Sequence, residues 1–411
     1  MCFCEMRRLR NSGGASPVLL RLRQALNADR AARYAIAFLR PPAAVMLSAL
    51  PLFALLSPLP SCTAQTGSRP AIIAYVHGGA TDIDKYRIEE LTHLNYCFLH
   101  LKGTRLTVDN SADSAEIFRM VALKSRNPGL KVNLSFGGWG GCEPCSETFS
   151  SPAARHDFAL SAKELLQYFG ADGVDLDWEY PAIEGYPGHR FAAEDKRNFT
   201  ALVAELRTVL GSDYEVSFAA GGFPAFLREA VEWDLVMPLV DWVNVMTYDL
   251  VNGFSTTTGH HTSLFTTPGQ LESADYAVRL LDSLGVPRRK IVIGAAFYAR
   301  VWGNVSGSNN GLFQEGKFKR YVRFRQLDDF LNSEGTFTVF WDSTARAPYG
   351  YDPVNRLFAT FDDRRSVALK TAYALDRGLG GIMFWELTGD TYEGGLLEAI
   401  TRTARAPAHP K

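Results

Sequence analysis

The sequence predicts an α/β fold, a (β/α)8 barrel with a small α+β insertion between strand seven and helix seven. Short, β-rich apolar runs alternate with longer segments of helical periodicity, the pattern of a parallel sheet with crossover helices. The runs are largely apolar rather than alternating, as strands buried on both faces are. Eight such units fit in 411 residues, and at that length they favour a closed barrel over an open sheet.

The first strand is expected over 71–76, followed by a short helix over 83–91 and a second strand over 93–101. Ile117, Met120, Val121 and Leu123 mark a helix over 112–124, closed by Asn127-Pro128-Gly129. A third strand over 130–136 runs into Gly137-Gly138-Trp139-Gly140-Gly141. Ser151 then caps a helix with Pro152 at its first position, and Gly170 stops it after Phe169. The fourth strand lies in the acidic stretch 170–181, GADGVDLDWEYP. A helix over 192–210 stops at Gly211, and strands follow over 215–220 and 242–248. A helix over 271–284 ends at Gly285 and Pro287, and the seventh strand spans 291–298. The eighth strand, 382–386, follows a helix over 367–375, and a last helix covers 393–403. Residues 303–357 interrupt this order and are too many for a βα loop. Phe340, Trp341, Tyr349 and Tyr351 provide apolar bulk there, with a short helix near 324–331 and strand-like pieces at 337–341 and 349–351. The barrel is therefore assigned to 71–302 and 358–404, the insertion to 303–357, a linker to 62–70 and an N-terminal extension to 1–61.

The acidic stretch carries the chemistry. Asp175, Asp177 and Glu179 alternate with Val174, Leu176 and Trp178, so on a strand the three carboxylates share one face. Asp172 is out of phase and is given a structural role. Anions repeating about every 6–7 Å along a strand repel one another, and a like charge nearby raises a carboxyl pKa. At least one of the three should hold a proton near neutral pH, as cleavage of a glycosidic bond requires. A calcium loop is the competing reading, but such loops carry Gly and Asn where this stretch has Val, Leu and Trp.

The formal net charge of −1 offers nothing to a nucleic acid. Aromatic residues make up 12% of the chain, a supply that suits stacking on sugar faces as well as core packing. The first 40 residues carry arginines such as Arg7, Arg8 and Arg21 against only Glu5 and Asp29 in acid, and the apolar run 43–59 follows. That order is a secretory signal, and its end, Leu59-Pro60-Ser61-Cys62, resembles a bacterial lipobox that would lipidate Cys62. Export is expected, to the periplasm, the medium or the outer membrane as a lipoprotein, with any membrane contact through the N-terminal lipid. A retained single helix is the alternative, although Pro51 and Pro58 break the run. The basic region is also long enough for translation to start downstream of Met1. Cys142 and Cys145 form a lone C-x-x-C, which lacks the second pair of a zinc site and in an exported protein is expected to be a local disulfide.

Taken together these residues resemble glycoside hydrolase family 18, the chitinases. The D-x-x-D-x-D-x-E pattern is met by Asp172, Asp175, Asp177 and Glu179, followed by Tyr180-Pro181. S-x-G-G is met by Ser135, Gly137 and Gly138 with Trp139 after it, and M-x-Y-D by Met246, Tyr248 and Asp249. Tyr298, Arg300 and Trp385 also match, and the resemblance spans about 71–404. It implies a TIM barrel and a retaining hydrolysis of chitin assisted by the substrate's own acetamido group. Glu179 would be the general acid, and Asp177 would hold the acetamido N–H. Asp175 would share a proton with Asp177, helped by Ser135, and Tyr248 would donate to the acetamido oxygen. Trp385 and Trp139 would stack on sugars before and after the scissile bond. Tyr75, Phe98 and Met246 would line the acetyl pocket, and Gly138, Asp249, Tyr298 and Arg300 would contact substrate. No metal or cofactor is implied, and a monomer is expected. The alternatives are an endo-β-N-acetylglucosaminidase acting on N-glycans and a non-catalytic chitin-binding lectin.

Overall fold

The computed structural model describes residues 70–79, 82–333 and 336–406. The N-terminal signal and Cys62 lie outside them. Strands β1 (Ala71–His77), β2 (His93–Lys102), β3 (Arg105–Thr107), β4 (Lys131–Gly137), β5 (Gly173–Asp177), β6 (Glu215–Gly221), β7 (Trp242–Met246) and β8 (Ile291–Ala296) come first in the chain. A second group follows, β9 (Tyr298–Gly303), β10 (Lys317–Arg323), β11 (Thr338–Asp342), β12 (Ala347–Asp352) and β13 (Leu357–Thr360), before β14 (Gly381–Trp385) returns to the first sheet. Eight strands pair in parallel in the order β1-β14-β8-β7-β6-β5-β4-β2, and β1 also pairs with β2, which closes the barrel.

The apolar strands sort their side chains with period two. On β1, Ile72, Ala74 and Val76 face outward and pack with Leu94, Val132, Val174 and the helices. Ala71, Ile73 and Tyr75 face inward and meet Val292 and Met383. The helices are α1 (Ser111–Ala122), α2 (Cys145–Ser150), α3 (Pro152–Phe169), α4 (Asp195–Leu210), α5 (Pro224–Glu229), α6 (Trp233–Val236), α7 (Ala274–Ser283), α8 (Leu327–Ser333), α9 (Arg364–Asp376) and α10 (Leu396–Arg405), of which α8 packs on β9 and β13. Ser151 caps α3 as its sequence suggests, accepting from the Ala154 N–H, and Gly170 ends that helix at φ 71°. Cys142 and Cys145 are joined in a disulfide at the start of α2.

Several elements differ from the sequence reading. The helix expected over 83–91 is two 3-10 turns, Ile83–Lys85 and Ile88–Glu90, because the chain is extended at Tyr86 between them. The expected seventh strand divides at Phe297, whose ring stacks on Phe384 at 4.1 Å. The strand from Tyr298 turns away into a five-stranded antiparallel sheet of order β10-β9-β13-β12-β11. The insertion therefore starts at Tyr298 and ends at Thr360, wider than the 303–357 assigned from loop length. Arg300 accordingly sits on the second sheet rather than at a barrel strand end. Strand β3 and the short helices α2, α5 and α6 had no periodic signal, being too brief to show one.

A buried ion pair ties α9 to the sheet ends. Lys370 and Asp362 have no exposed side-chain surface, and the Lys370 Nζ donates to Asp362 Oδ2 at 2.6 Å and to Thr262 Oγ1 at 2.5 Å. Asp362 also accepts from the Ala296 N–H and the Ser366 hydroxyl. Removing one partner of such a pair leaves an uncompensated buried charge. Lys370→Met is expected to destabilise the fold by about 3–5 kcal/mol in urea unfolding; a loss below about 1 kcal/mol would show that the pair is not needed for the fold.

Candidate active site

The acidic stretch lies where the barrel opens. Asp175 and Asp177 are on β5 and Glu179 stands just past its end. All three are buried, so their charges are poorly screened. Asp175 is surrounded by neutral donors. Tyr75 Oη and Ser135 Oγ donate to its Oδ2 at 2.9 and 2.8 Å, and Ser217 Oγ and Asn244 Nδ2 to its Oδ1 at 2.6 and 3.1 Å. Burial raises its pKa, and these four bonds, which favour the carboxylate, oppose that rise without cancelling it. Asp177 has no such relief. Its Oδ1 is buried without a hydrogen-bond partner, and burial, then Glu179, then Asp175 push its pKa well above the ordinary carboxyl range. Burial thus raises both carboxyls of the pair, and at Asp177 the charges of Glu179 and Asp175 add to the rise.

Glu179 is raised to about 7, chiefly by burial; a hydrogen bond with Tyr180 lowers it in part, and the charge of Asp249 adds to the rise. Tyr248 is buried at the end of β7, and its phenol, pushed up by burial first, stays a neutral donor. Among the described residues its hydroxyl meets the Met383 sulfur, at 3.9 Å. Asp249, next in the chain, adopts a left-handed φ of 56°. Arg300 grips both of its oxygens as a fork and Tyr298 donates to Oδ1 at 2.6 Å. Desolvation in the site would raise the Asp249 carboxyl, but the nearby His261 and the Arg300 guanidinium hold it below its usual range, so it is an anion.

Aromatic rings line the floor and one wall. Trp385 ends β14; Phe98 stacks on it at 5.7 Å and 17°, and Tyr75 tilts against it at 6.0 Å. Met246 packs into the same interior cluster. Gly138 must be glycine, because a Cβ there would lie 2.3 Å from the Phe98 ring and its φ is 82°. Trp139 is 47% exposed and touches Tyr180, Tyr186 and Phe254, with ring centroids 6.3, 5.5 and 6.1 Å away. Asp172 stands apart: it accepts from the Val132 N–H at 2.7 Å and pairs with Lys124, bracing the base of β5.

Sequence reasoning missed Ser217, Asn244, His261, Tyr186 and Phe254. Ser217 and Asn244 were legible in part, as polar residues inside apolar strands at the same inward phase as Asp175. His261, Tyr186 and Phe254 lie in loops without periodicity, and only the folded chain brings them here.

Residues 71–390 match the family described as Glycosyl hydrolases family 18. The chain is 35% identical to chitinase A1 of Niallia circulans over 307 residues, covering 67% of this chain and 43% of that protein. It thus spans less than half the length of that relative. It is 29% identical to chitinase B of Serratia marcescens, covering 78% of each. Among solved structures it is similar to a glycoside hydrolase family 18 N-acetylglucosaminidase from Paenibacillus barengoltzii, with a TM-score of 0.75, 34% identity, and coverage of 81% of this chain and 99% of that one.

Proposed function

The chain belongs to the glycosyl hydrolases of family 18, and from that premise we propose that it hydrolyses chitin, the β-1,4-linked polymer of N-acetylglucosamine. The observation that carries this reading is the run of buried acids at one strand end: Asp177 and Glu179, whose carboxyls burial raises, beside Asp175, which four neutral donors surround. Glu179 protonates the glycosidic oxygen as the bond breaks. No second carboxylate acts as nucleophile; the acetamido carbonyl of the sugar before the scissile bond attacks the anomeric carbon and gives an oxazolinium ion. The unpartnered Asp177 Oδ1 accepts the acetamido N–H. Tyr248, with no strong acceptor of its own, donates to the acetamido oxygen and orients it for attack. Trp385 stacks under the reacting sugar and Trp139 on the leaving side, while Tyr75, Phe98 and Met246 enclose the acetyl group. Asp249, Tyr298 and Arg300 contact the sugars from the opposite wall. Glu179 in place disfavours a non-catalytic lectin. Cleavage of single N-acetylglucosamine units is a second reading, favoured by the likeness to the Paenibacillus barengoltzii enzyme; product analysis on chito-oligomers separates the two.

Glu179→Gln is expected to lower kcat by 10²–10⁴-fold or more, roughly the value of a general acid, while chito-oligomer binding persists. In the unsubstituted enzyme kcat/KM should fall as pH rises through about 7, because Glu179 must carry its proton to act and loses it there. A variant retaining more than about a tenth of the activity, or a profile flat through pH 7, would remove Glu179 from this role.

Acetamido attack followed by water attack inverts the anomeric carbon twice. Proton NMR of fresh products should therefore show the β-anomer first. Fully deacetylated chitosan and cello-oligomers, lacking the acetyl group, should resist cleavage. An initial α-anomer would mean a water-activating mechanism and would set aside the roles given to Asp177 and Tyr248.

The basic and apolar N-terminus supports export with cleavage before Cys62 and a lipid on that cysteine, the catalytic unit acting as a monomer. Intact-mass analysis of the membrane fraction is expected to find a chain starting at Cys62 with the lipid mass added. A mature chain starting upstream of Ala43 would end the signal reading, and a bare Cys62 would end lipidation alone.

A further inference from the structure

His261 is a buried residue that the mechanism above does not use. Its imidazole has no exposed surface, and its Nδ1 lies 3.5 Å from Asp249 Oδ1. Neither ring nitrogen has a partner at ordinary hydrogen-bonding geometry. A buried polar group left so costs about 1–3 kcal/mol, which leaves the Asp249 contact as the reason for a histidine here. Two main-chain bonds hold it in place: its carbonyl accepts the Leu250 N–H at 3.1 Å, directly after Asp249, and its own N–H reaches Thr360 Oγ1 on β13 at 3.2 Å. The other Asp249 partners, Tyr298 and Arg300, both come from β9. His261 belongs instead to the connection between β7 and α7 and so anchors the carboxylate from the barrel side.

The charged and titratable groups acting on the imidazole are Asp249, Arg300 and, farther off, Asp362, which is paired with Lys370; Tyr298 packs on its ring at 5.2 Å. Burial holds it below its usual pKa, so it is neutral at working pH. A neutral imidazole with its proton on Nδ1 donates to a carboxylate without cancelling its charge.

We propose that His261 is a positioning residue: through the contact of its Nδ1 with Oδ1 it keeps the Asp249 carboxylate in its place. The proposal rests on Glu179 being the acid, which Glu179→Gln tests separately. Besides Asp249, the groups acting on Glu179 are Asp177 on β5 and Tyr180. Without the imidazole the carboxylate is held from β9 alone and can turn in its site, so its field at Glu179 weakens and Glu179 loses its proton at lower pH.

The test is the pH profile of kcat/KM on a fluorogenic chitobioside for His261→Ala, His261→Asn and His261→Gln, with urea unfolding of each. The asparagine amide reaches the place of Nδ1 and the glutamine amide that of Nε2. The alanine and glutamine variants should lose about tenfold in kcat/KM and their alkaline limbs should move about half a pH unit or more downward. The asparagine variant should stay within about twofold of the parent, with its limb in place. If the alanine variant fails to fold, the asparagine and glutamine pair decides. An unmoved limb in the folded alanine or glutamine variant, or asparagine no better than glutamine, overturns the proposal.

Discussion

Repulsion among carboxylates that water cannot screen is the constraint on which the site depends. At about 6–7 Å and an effective dielectric near 20, each pair of such charges costs roughly 2–3 kcal/mol. The barrel resolves this differently at each position. At Asp175 the donors Tyr75, Ser135, Ser217 and Asn244 oppose the rise that burial imposes. Asp249 keeps its charge because Arg300 supplies the opposite one. Asp177 has no such donors, and Glu179 has only the bond with Tyr180 against its burial, so both are raised. The acids of one strand end are thus distinguished by their neighbours.

The second sheet takes part in that arrangement. Tyr298 and Arg300 are the first and third residues of β9, so alternation along that strand points both to the side where Asp249 lies. Trp302, two residues further, is wholly buried against Phe318 and Phe358 and fixes the strand in its own sheet. On the barrel side, Lys370, Asp362 and Thr262 form a buried polar knot one residue from His261. The Asp249 carboxylate is held from β9 by Tyr298 and Arg300 and is faced by His261 from the connection between β7 and α7.

The floor of the site is apolar. Phe98, Tyr75 and Trp385 form a continuous ring surface under the acids. Tyr75 also donates to Asp175, so the floor meets the acidic strand directly. Burial is the largest cause of the raised pKa of Asp177 and of Glu179.

Local chemistry was legible in the sequence. The eight barrel strands, the caps at Ser151 and Gly170, the three-acid strand and the out-of-phase Asp172 each follow from short-range rules, namely period-two alternation, side-chain capping and the glycine left-handed turn. Those rules act within a few residues and need no knowledge of the partner strand. What they could not reach was decided by contacts between residues distant in the chain. The turn at Phe297 depends on Phe384, and the second sheet begins at Tyr298 because β9 finds β13 and β10. What opposes burial at Asp175 is a set of donors from β1, β4, β6 and β7 that meet only when the barrel closes. Which side chains alternate along a strand is a property of the strand; what they face is a property of the closed sheet. The sequence by itself determined the acids and their common face, and the tertiary structure decided the ionisation of each, because ionisation depends on burial and on neighbours that the barrel brings together.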